Sequence, residues 1–261
     1  MPWDPVKLNS GYSIPSIAFG TWKLGNGDGP ISQVDQAISV GFNHFDTAQS
    51  YRNETEAGIA IRESGLARNE LFITTKYSGL DGLDIKTSIQ NSLKNLGVSY
   101  VDLYLIHHPR LAVPDIPTAW KEMEALQAQG LAKRAINSTF PHSFSNYNHI
   151  ISGASAPVTT LPGGAVDVPV NDLAKKYSVT PDQILLAWTK SKGAVVVTTS
   201  SKKSRLEGYL NAGDLELTPE EIAAIDLAGA AGPGHLKVAR RVALTCLASV
   251  AVWGILHMLG C

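Results

Sequence analysis

The sequence predicts an α/β fold of the (β/α)8 TIM-barrel type, incomplete, with about six barrel strands visible, followed by a C-terminal apolar helix. Three observations carry this. Short apolar runs alternate with helix-period segments, each closed by glycine or proline, which is the pattern of a parallel sheet wrapped in helices. Asp46, Tyr51, Lys76, His107 and Ser138 fall at or just beyond the ends of successive apolar runs, where a β/α barrel assembles its reaction site. From Val242 to Cys261 there is no Asp, Glu, Lys or Arg. The chain of 261 residues, 44% hydrophobic, is long enough for one sizeable core. The expected organisation is a barrel domain over residues 1–230, a basic linker over 231–241, and a candidate transmembrane tail anchor over 242–261.

An opening hairpin is expected around Gly11, then a strand at Ile17 to Lys23 and a helix at Ile31 to Val40 stopped by Gly41. His44 to Thr47 reads as the second barrel strand. Asn53 reads as the N-cap of a helix running to Ser64. Leu71 to Lys76 is the third strand, and Ile89, Leu93 and Leu96 mark the apolar face of the helix that Gly97 ends. Val101 to His107 is the fourth strand, Trp120, Met123 and Leu126 face the next helix, and Ala132 to Ser138 is the fifth strand. Near the other end, Thr180-Pro181 starts a helix with Ile184, Leu185 and Trp188, and Ala194 to Thr199 is a buried strand. Thr218-Pro219-Glu220-Glu221 is a capping box. Between the fifth strand and Ala194 an eight-stranded barrel must fit two strands and three helices, which at roughly 30 residues per βα unit needs about 80 positions. The interval from Ser138 to Ala194 is shorter. Ser152 to Val168 reads as loop, with Val158 to Leu161 its only extended piece, so two strands are expected to be missing.

A formal net charge of -1 argues against the basic surface that DNA or RNA binding needs. Both cysteines, Cys246 and Cys261, lie at the C-terminal end, so no disulfide framework or thiolate cluster is expected in the body, and Met1 to Ser10 is not expected to act as a signal peptide. No Gly-x-Gly-x-x-Gly follows a strand, which leaves out a Rossmann site. His107-His108 could form a metal pair, but no third ligand at metal spacing accompanies it and the two would point to opposite faces of a strand, so no metal is expected.

The block Gly41-Phe42-Asn43-His44-Phe45-Asp46-Thr47-Ala48-Gln49-Ser50-Tyr51-Arg52-Asn53-Glu54 resembles the aldo-keto reductases. Gly20-Thr21-Trp22-Lys23, Thr74-Thr75-Lys76, Leu105-Ile106-His107-His108-Pro109 and Val197-Thr198-Thr199-Ser200-Ser201 are similar to family segments in the same order. Pro162-Gly163-Gly164 and the Thr198 to Ser201 strand end resemble the fungal branch. The resemblance spans roughly residues 6–230, lacking the region of barrel strands six and seven.

That resemblance implies carbonyl reduction by hydride from a reduced nicotinamide, with Tyr51 as proton donor. A free phenol titrates near 10, and a Lys76 ammonium beside it would stabilise the anion, with Asp46 holding Lys76 charged. His107 would orient the substrate carbonyl and share the relay, and Trp22 would wall the substrate pocket. Ser138 matches the serine on the nicotinamide carboxamide. Thr139 replaces the usual asparagine, and Thr47 with Asp46 would reach the ribose. Ser200 and Arg205 match residues on the adenosine phosphate, for which a guanidinium fork is suited, while Thr199 stands where many members have lysine. NADP is favoured over NAD. The family's nicotinamide-binding glutamine and ring-stacking tyrosine have no visible counterparts here.

Each residue alone has a plainer reading: a strand-end Asp or Lys is usually a solvated charge, and a lone Tyr a packed loop aromatic. Their grouping is what points to chemistry. The apolar 242–261 segment would reach about 30 Å as a helix, the thickness of a bilayer core, with Lys237, Arg240 and Arg241 as a cytoplasmic flank. A helix packed on the barrel, leaving a cytoplasmic protein, is the alternative. The sequence therefore predicts a membrane-tethered NADPH-dependent reductase of a lipophilic aldehyde or ketone, facing the cytoplasm on a membrane such as the endoplasmic reticulum, with a role in fungal secondary metabolism. The alternative is an inactive scaffold that keeps the motifs.

Overall fold

The computed structural model describes residues 3–7, 11–137, 150–152 and 164–230. The chain divides into two units, Met1–Ala154 with Thr189–Glu216, and Ser155–Trp188 with Leu217–Cys261.

In the first unit a hairpin of β1 (Val6–Lys7) and β2 (Ser13–Ile14) precedes a parallel sheet. The sheet strands are β3 (Ile17–Gly20), β4 (His44–Asp46), β5 (Phe72–Tyr77), β6 (Leu103–Ile106), β7 (Ala135–Asn137), β8 (Ile150–Ser152) and β9 (Val195–Thr198). Their order is β7-β6-β5-β4-β3-β9-β8, and every pair is parallel. Parallel pairing needs crossovers, and the helices α1 (Asp28–Val40), α2 (Glu54–Glu63), α3 (Ile85–Leu96) and α4 (Ile116–Ala128) supply those from β3 to β7. Phe19, Phe45, Ile73 and Tyr104 are buried in the strands. Ile14 of the hairpin clusters with Phe72, Leu103, Leu105 and Val195, with Val6 packed against them.

Helix α3 shows how local chemistry sets the elements. Asp84 accepts the Thr87 N–H at 2.6 Å and starts the helix, Ile85, Ile89 and Leu96 are buried, and Gly97 ends it at φ 68, a left-handed turn that favours glycine. Gly58 on α2 meets this helix so closely that a Cβ would lie 2.6 Å from the Leu96 carbonyl oxygen.

The second unit's described residues hold α5 (Asp167–Tyr177), most of α6 (Pro181–Ser191) and α8 (Pro219–Ala230). The capping box forms reciprocally: Thr218 N–H donates to Glu221 Oε2 at 2.8 Å and Glu221 N–H to Thr218 Oγ1 at 3.4 Å. Glu221 also accepts from Lys176 at 2.6 Å and from the Tyr177 hydroxyl at 2.8 Å. Helix α7 (Lys203–Asn211) belongs to the first unit, where the Trp3 indole donates to the Tyr209 carbonyl at 3.0 Å.

Two expectations change. Ile150–Ser152, of which the sequence assigned only Ser152, to the start of a loop, is a strand paired with Val195–Val197, so the described sheet has seven parallel strands rather than six. Its three residues carry no alternation to betray it, and pairing with β9 supplies the order. Val158 to Leu161 lies outside the described residues. Asn53 does occupy the N-cap position of α2, but its side chain makes no cap bond. It donates instead to the Thr21 carbonyl at 2.8 Å and the Gly25 carbonyl at 3.2 Å. Among the described residues no helix is long and apolar enough to cross a membrane, and the 242–261 segment lies outside them.

Candidate active site

Register brings the polar strand ends together. Gly20 pairs with Asp46, Asp46 with Thr74, and Lys76 with Leu105, while the His107 N–H donates to the Tyr77 carbonyl at 2.9 Å. The 3-10 turn Gln49–Tyr51 just after β4 carries the tyrosine. Asp46, Tyr51, Lys76 and His107 thereby meet at the C-terminal ends of β4, β5 and β6. The Lys76 ammonium donates to Asp46 Oδ1 at 2.5 Å, to the Thr47 carbonyl at 3.0 Å and to Tyr51 Oη at 3.2 Å. The Tyr51 and His107 rings meet edge to face with centroids 5.6 Å apart.

Burial disfavours the Lys76 ammonium, but the Asp46 carboxylate and the Tyr51 phenol outweigh it and raise its pKa above 10.5. For Tyr51 the balance runs the other way from the sequence expectation. Burial of the phenol exceeds the help from Lys76, and its pKa is raised above 10.0. Tyr51 is therefore a neutral hydroxyl at physiological pH, with an ammonium positioned to stabilise the anion once a proton leaves. His107 is lowered to about 4, first by burial and then by the Lys76 ammonium and the neighbouring His108, so it is a neutral imidazole.

His107 and His108 do not point to opposite faces as alternation predicts. Strand β6 ends at Ile106, both histidines lie beyond it, and their rings stack at 5.7 Å. No group of three or more His, Cys, Asp or Glu suited to a metal occurs among the described residues. Trp22, one residue past Thr21 at the end of β3, is 59% exposed, with the Lys23 ammonium 4.3 Å from its ring. Thr47 is buried, and its hydroxyl accepts from Thr21 Oγ1 at 2.9 Å.

Sequence reasoning did not single out Ser50 and Ser78, whose hydroxyls reach His107 Nδ1 at 3.2 and 3.0 Å. It also passed over Glu54, buried behind the site, which accepts from Thr75 Oγ1 at 2.6 Å. Ser50 and Glu54 stand inside the recognised block, but only the β4–β5–β6 register reveals their partners.

For a dinucleotide cofactor, Ser200 follows β9 and Arg205 lies exposed in the first turn of α7 beside Lys202 and Lys203. That turn carries no acidic residue, and its cations and hydroxyl suit a phosphate. The donor set fits the group. Ser138 and Thr139 lie outside the described residues.

The model of the aldo/keto reductase family matches residues 16–143 and 165–229. The chain belongs to this family. Family membership makes it an NAD(P)H-dependent oxidoreductase with the (β/α)8 fold. It is 32% identical over 252 residues to a methylglyoxal reductase of Escherichia coli O157:H7, covering 84% of this chain and 91% of the relative. An aldehyde reductase of Saccharomyces cerevisiae is 31% identical over 263 residues, covering 77% and 83%. Among solved structures, an aldo-keto reductase of Bombyx mori in complex with NADP matches at TM-score 0.74 and 26% identity, over 87% of this chain and 92% of that one. A Brucella melitensis aldo/keto reductase matches at TM-score 0.74 and 27% identity, over 87% and 99%.

Proposed function

We propose that this chain uses NADPH to reduce the carbonyl of an aldehyde or ketone to an alcohol. The observation that carries this reading is a single ammonium, Lys76 Nζ, 2.5 Å from the Asp46 carboxylate and 3.2 Å from the Tyr51 hydroxyl. Bound cofactor supplies the hydride to the carbonyl carbon. Tyr51 gives its hydroxyl proton to the carbonyl oxygen, Lys76 stabilises the phenolate left behind, and Asp46 keeps Lys76 charged and in place. Solvent then returns the proton to Tyr51. His107 holds the carbonyl oxygen, and Trp22 walls the pocket. The methylglyoxal and aldehyde reductases among the relatives support a carbonyl substrate.

Ser200 and Arg205 take the adenosine phosphate in this reading, which favours NADPH over NADH, in keeping with the NADP complex of the Bombyx mori relative. Ser138 and Thr139 take the nicotinamide carboxamide. Asp46 and Thr47 face the ribose; Thr47 Oγ1 accepts from Thr21 and keeps its own hydrogen to donate. The Pro162-Gly163-Gly164 and Thr198 to Ser201 segments favour the fungal branch and a role in secondary metabolism. Residues 1–230 form the catalytic domain, and the apolar 242–261 segment after the basic 231–241 linker anchors it to a membrane, which suits a lipophilic substrate.

One observation favours the rival reading of an inactive scaffold. Only residues 138–149 separate β7 from β8, where a βα unit takes roughly 30 residues, so we read this barrel as shortened at its sixth strand. NADPH consumption by the unaltered chain decides between them, and Tyr51→Phe then tests the proton donor. In a reductase the substitution lowers kcat by at least about 100-fold and leaves NADPH affinity within about twofold. Reduction that survives the change would mean that the proton comes from elsewhere.

A further inference from the structure

His107 Nδ1 meets the Ser78 hydroxyl at 3.0 Å and the Ser50 hydroxyl at 3.2 Å, whereas Nε2 has no hydrogen-bond partner among the described residues. A neutral imidazole carries one hydrogen, and the nitrogen without it accepts. The surroundings of Ser78 decide which nitrogen that is. Its Oγ already accepts the Ser50 backbone N–H at 3.3 Å. Its own hydrogen has two acceptors in reach, His107 Nδ1 at 3.0 Å and the Lys76 carbonyl at 3.4 Å. The shorter contact is the stronger one. Were Nδ1 protonated, Ser78 would have to accept two donors and spend its hydrogen on the 3.4 Å contact alone. Ser50 Oγ brings a second hydroxyl to the same lone pair.

We propose that Ser78, backed by Ser50, is a positioning residue: its hydroxyl donates to His107 Nδ1 and fixes the ring as the Nε2–H tautomer, the donor that holds the substrate carbonyl oxygen. The opposite tautomer would turn a lone pair toward that oxygen and repel it. The carbonyl half of this assignment rests on the reductase reading, and the tautomer half does not. Burial and the neighbouring Lys76 and His108 keep the ring neutral, so the choice of tautomer matters at physiological pH.

Two-bond proton–nitrogen correlation spectra of the full chain labelled with nitrogen-15 histidine read the tautomer directly, with His107 assigned from the signals lost in His107→Gln. The expected result is a protonated Nε2 and a bare Nδ1. Ser78→Ala should mix the tautomers and lower kcat/KM about tenfold, mainly through kcat, with NADPH affinity unchanged. Ser78→Thr, which keeps the hydroxyl, should restore both readouts, and Ser50→Ala combined with Ser78→Ala should lower kcat/KM about 100-fold. A protonated Nδ1 in the unaltered chain would overturn the assignment. So would Ser78→Ala with the tautomer kept and kcat/KM within about twofold of the unaltered chain. A folded chain with Nε2–H and no reductase activity would uphold the serine–histidine assignment while refuting the reductase reading; an active chain with Nδ1–H would do the reverse.

Discussion

Lys76 holds a charge in a place that would otherwise refuse it, with side-chain exposures of 11% for Lys76 and 9% for Asp46. Removing the carboxylate leaves an ammonium without its counter-charge, so Asp46→Asn should cost ~3 kcal/mol in urea unfolding at neutral pH. The sign of its pH dependence follows from the raised Lys76 pKa. The stabilisation is complete below 10.5 and is lost as pH rises through the folded value, so wild type and variant should converge at strongly alkaline pH. His44 behaves oppositely. Its Nδ1–H donates to the Pro15 carbonyl at 3.1 Å, its Nε2 accepts from Thr74 at 2.9 Å, and burial lowers its pKa from 6.5 to about 4. The unfolded chain then binds more protons across that window, and stability present above 6.5 should decline as pH falls toward about 4. His44→Gln should flatten this decline by on the order of 3 kcal/mol, as read from unfolding midpoints across the window. Tyr51, Lys76, Asp46 and His107 were legible in the sequence because strand ends and the long motif fix their places. The raised phenol pKa was not, since it depends on how deeply the ring is buried, nor were the stacked histidines and the two serines, since these depend on where β6 ends and on the β4–β5–β6 register.

Helix pairing supplies a test in which two effects have opposite signs. By helix propensity alone, Gly58→Ala should stabilise α2 by about 1 kcal/mol. Contact with α3 reverses that, because the new Cβ would lie 2.6 Å from the Leu96 carbonyl oxygen and 2.7 Å from that of Asn95, backbone atoms that cannot rotate away. The substitution should therefore destabilise by at least about 2 kcal/mol, visible as a lower Tm. An unchanged or higher Tm would mean that α2 and α3 lie farther apart. Elements governed by local rules were readable: the Thr218–Glu221 capping box, the Gly41 and Gly97 stops, and the periodic face of α3. Strand β8 was not, because its three residues gain strand geometry from the Val195–Val197 edge rather than from their own pattern.

At the scale of the whole molecule, parallel order places Gly20, Asp46, Lys76 and His107 on neighbouring strand ends, which is why one fold supports one reaction site. The alternation of strand and helix signals carried this architecture; what it could not carry was how the chain crosses from β7 to β8, where few residues stand between them. If the 242–261 segment is an anchor, the full chain should sediment with microsomes, resist a salt wash and be released by detergent. Recovery in the soluble pool would contradict it. The reductase claim itself is tested most directly by mixing the full chain with NADPH and methylglyoxal and following the nicotinamide absorbance. A reductase consumes one NADPH per alcohol formed and saturates with both reactants; a folded chain that leaves NADPH unconsumed with methylglyoxal and with a panel of aldehydes and ketones would contradict the claim.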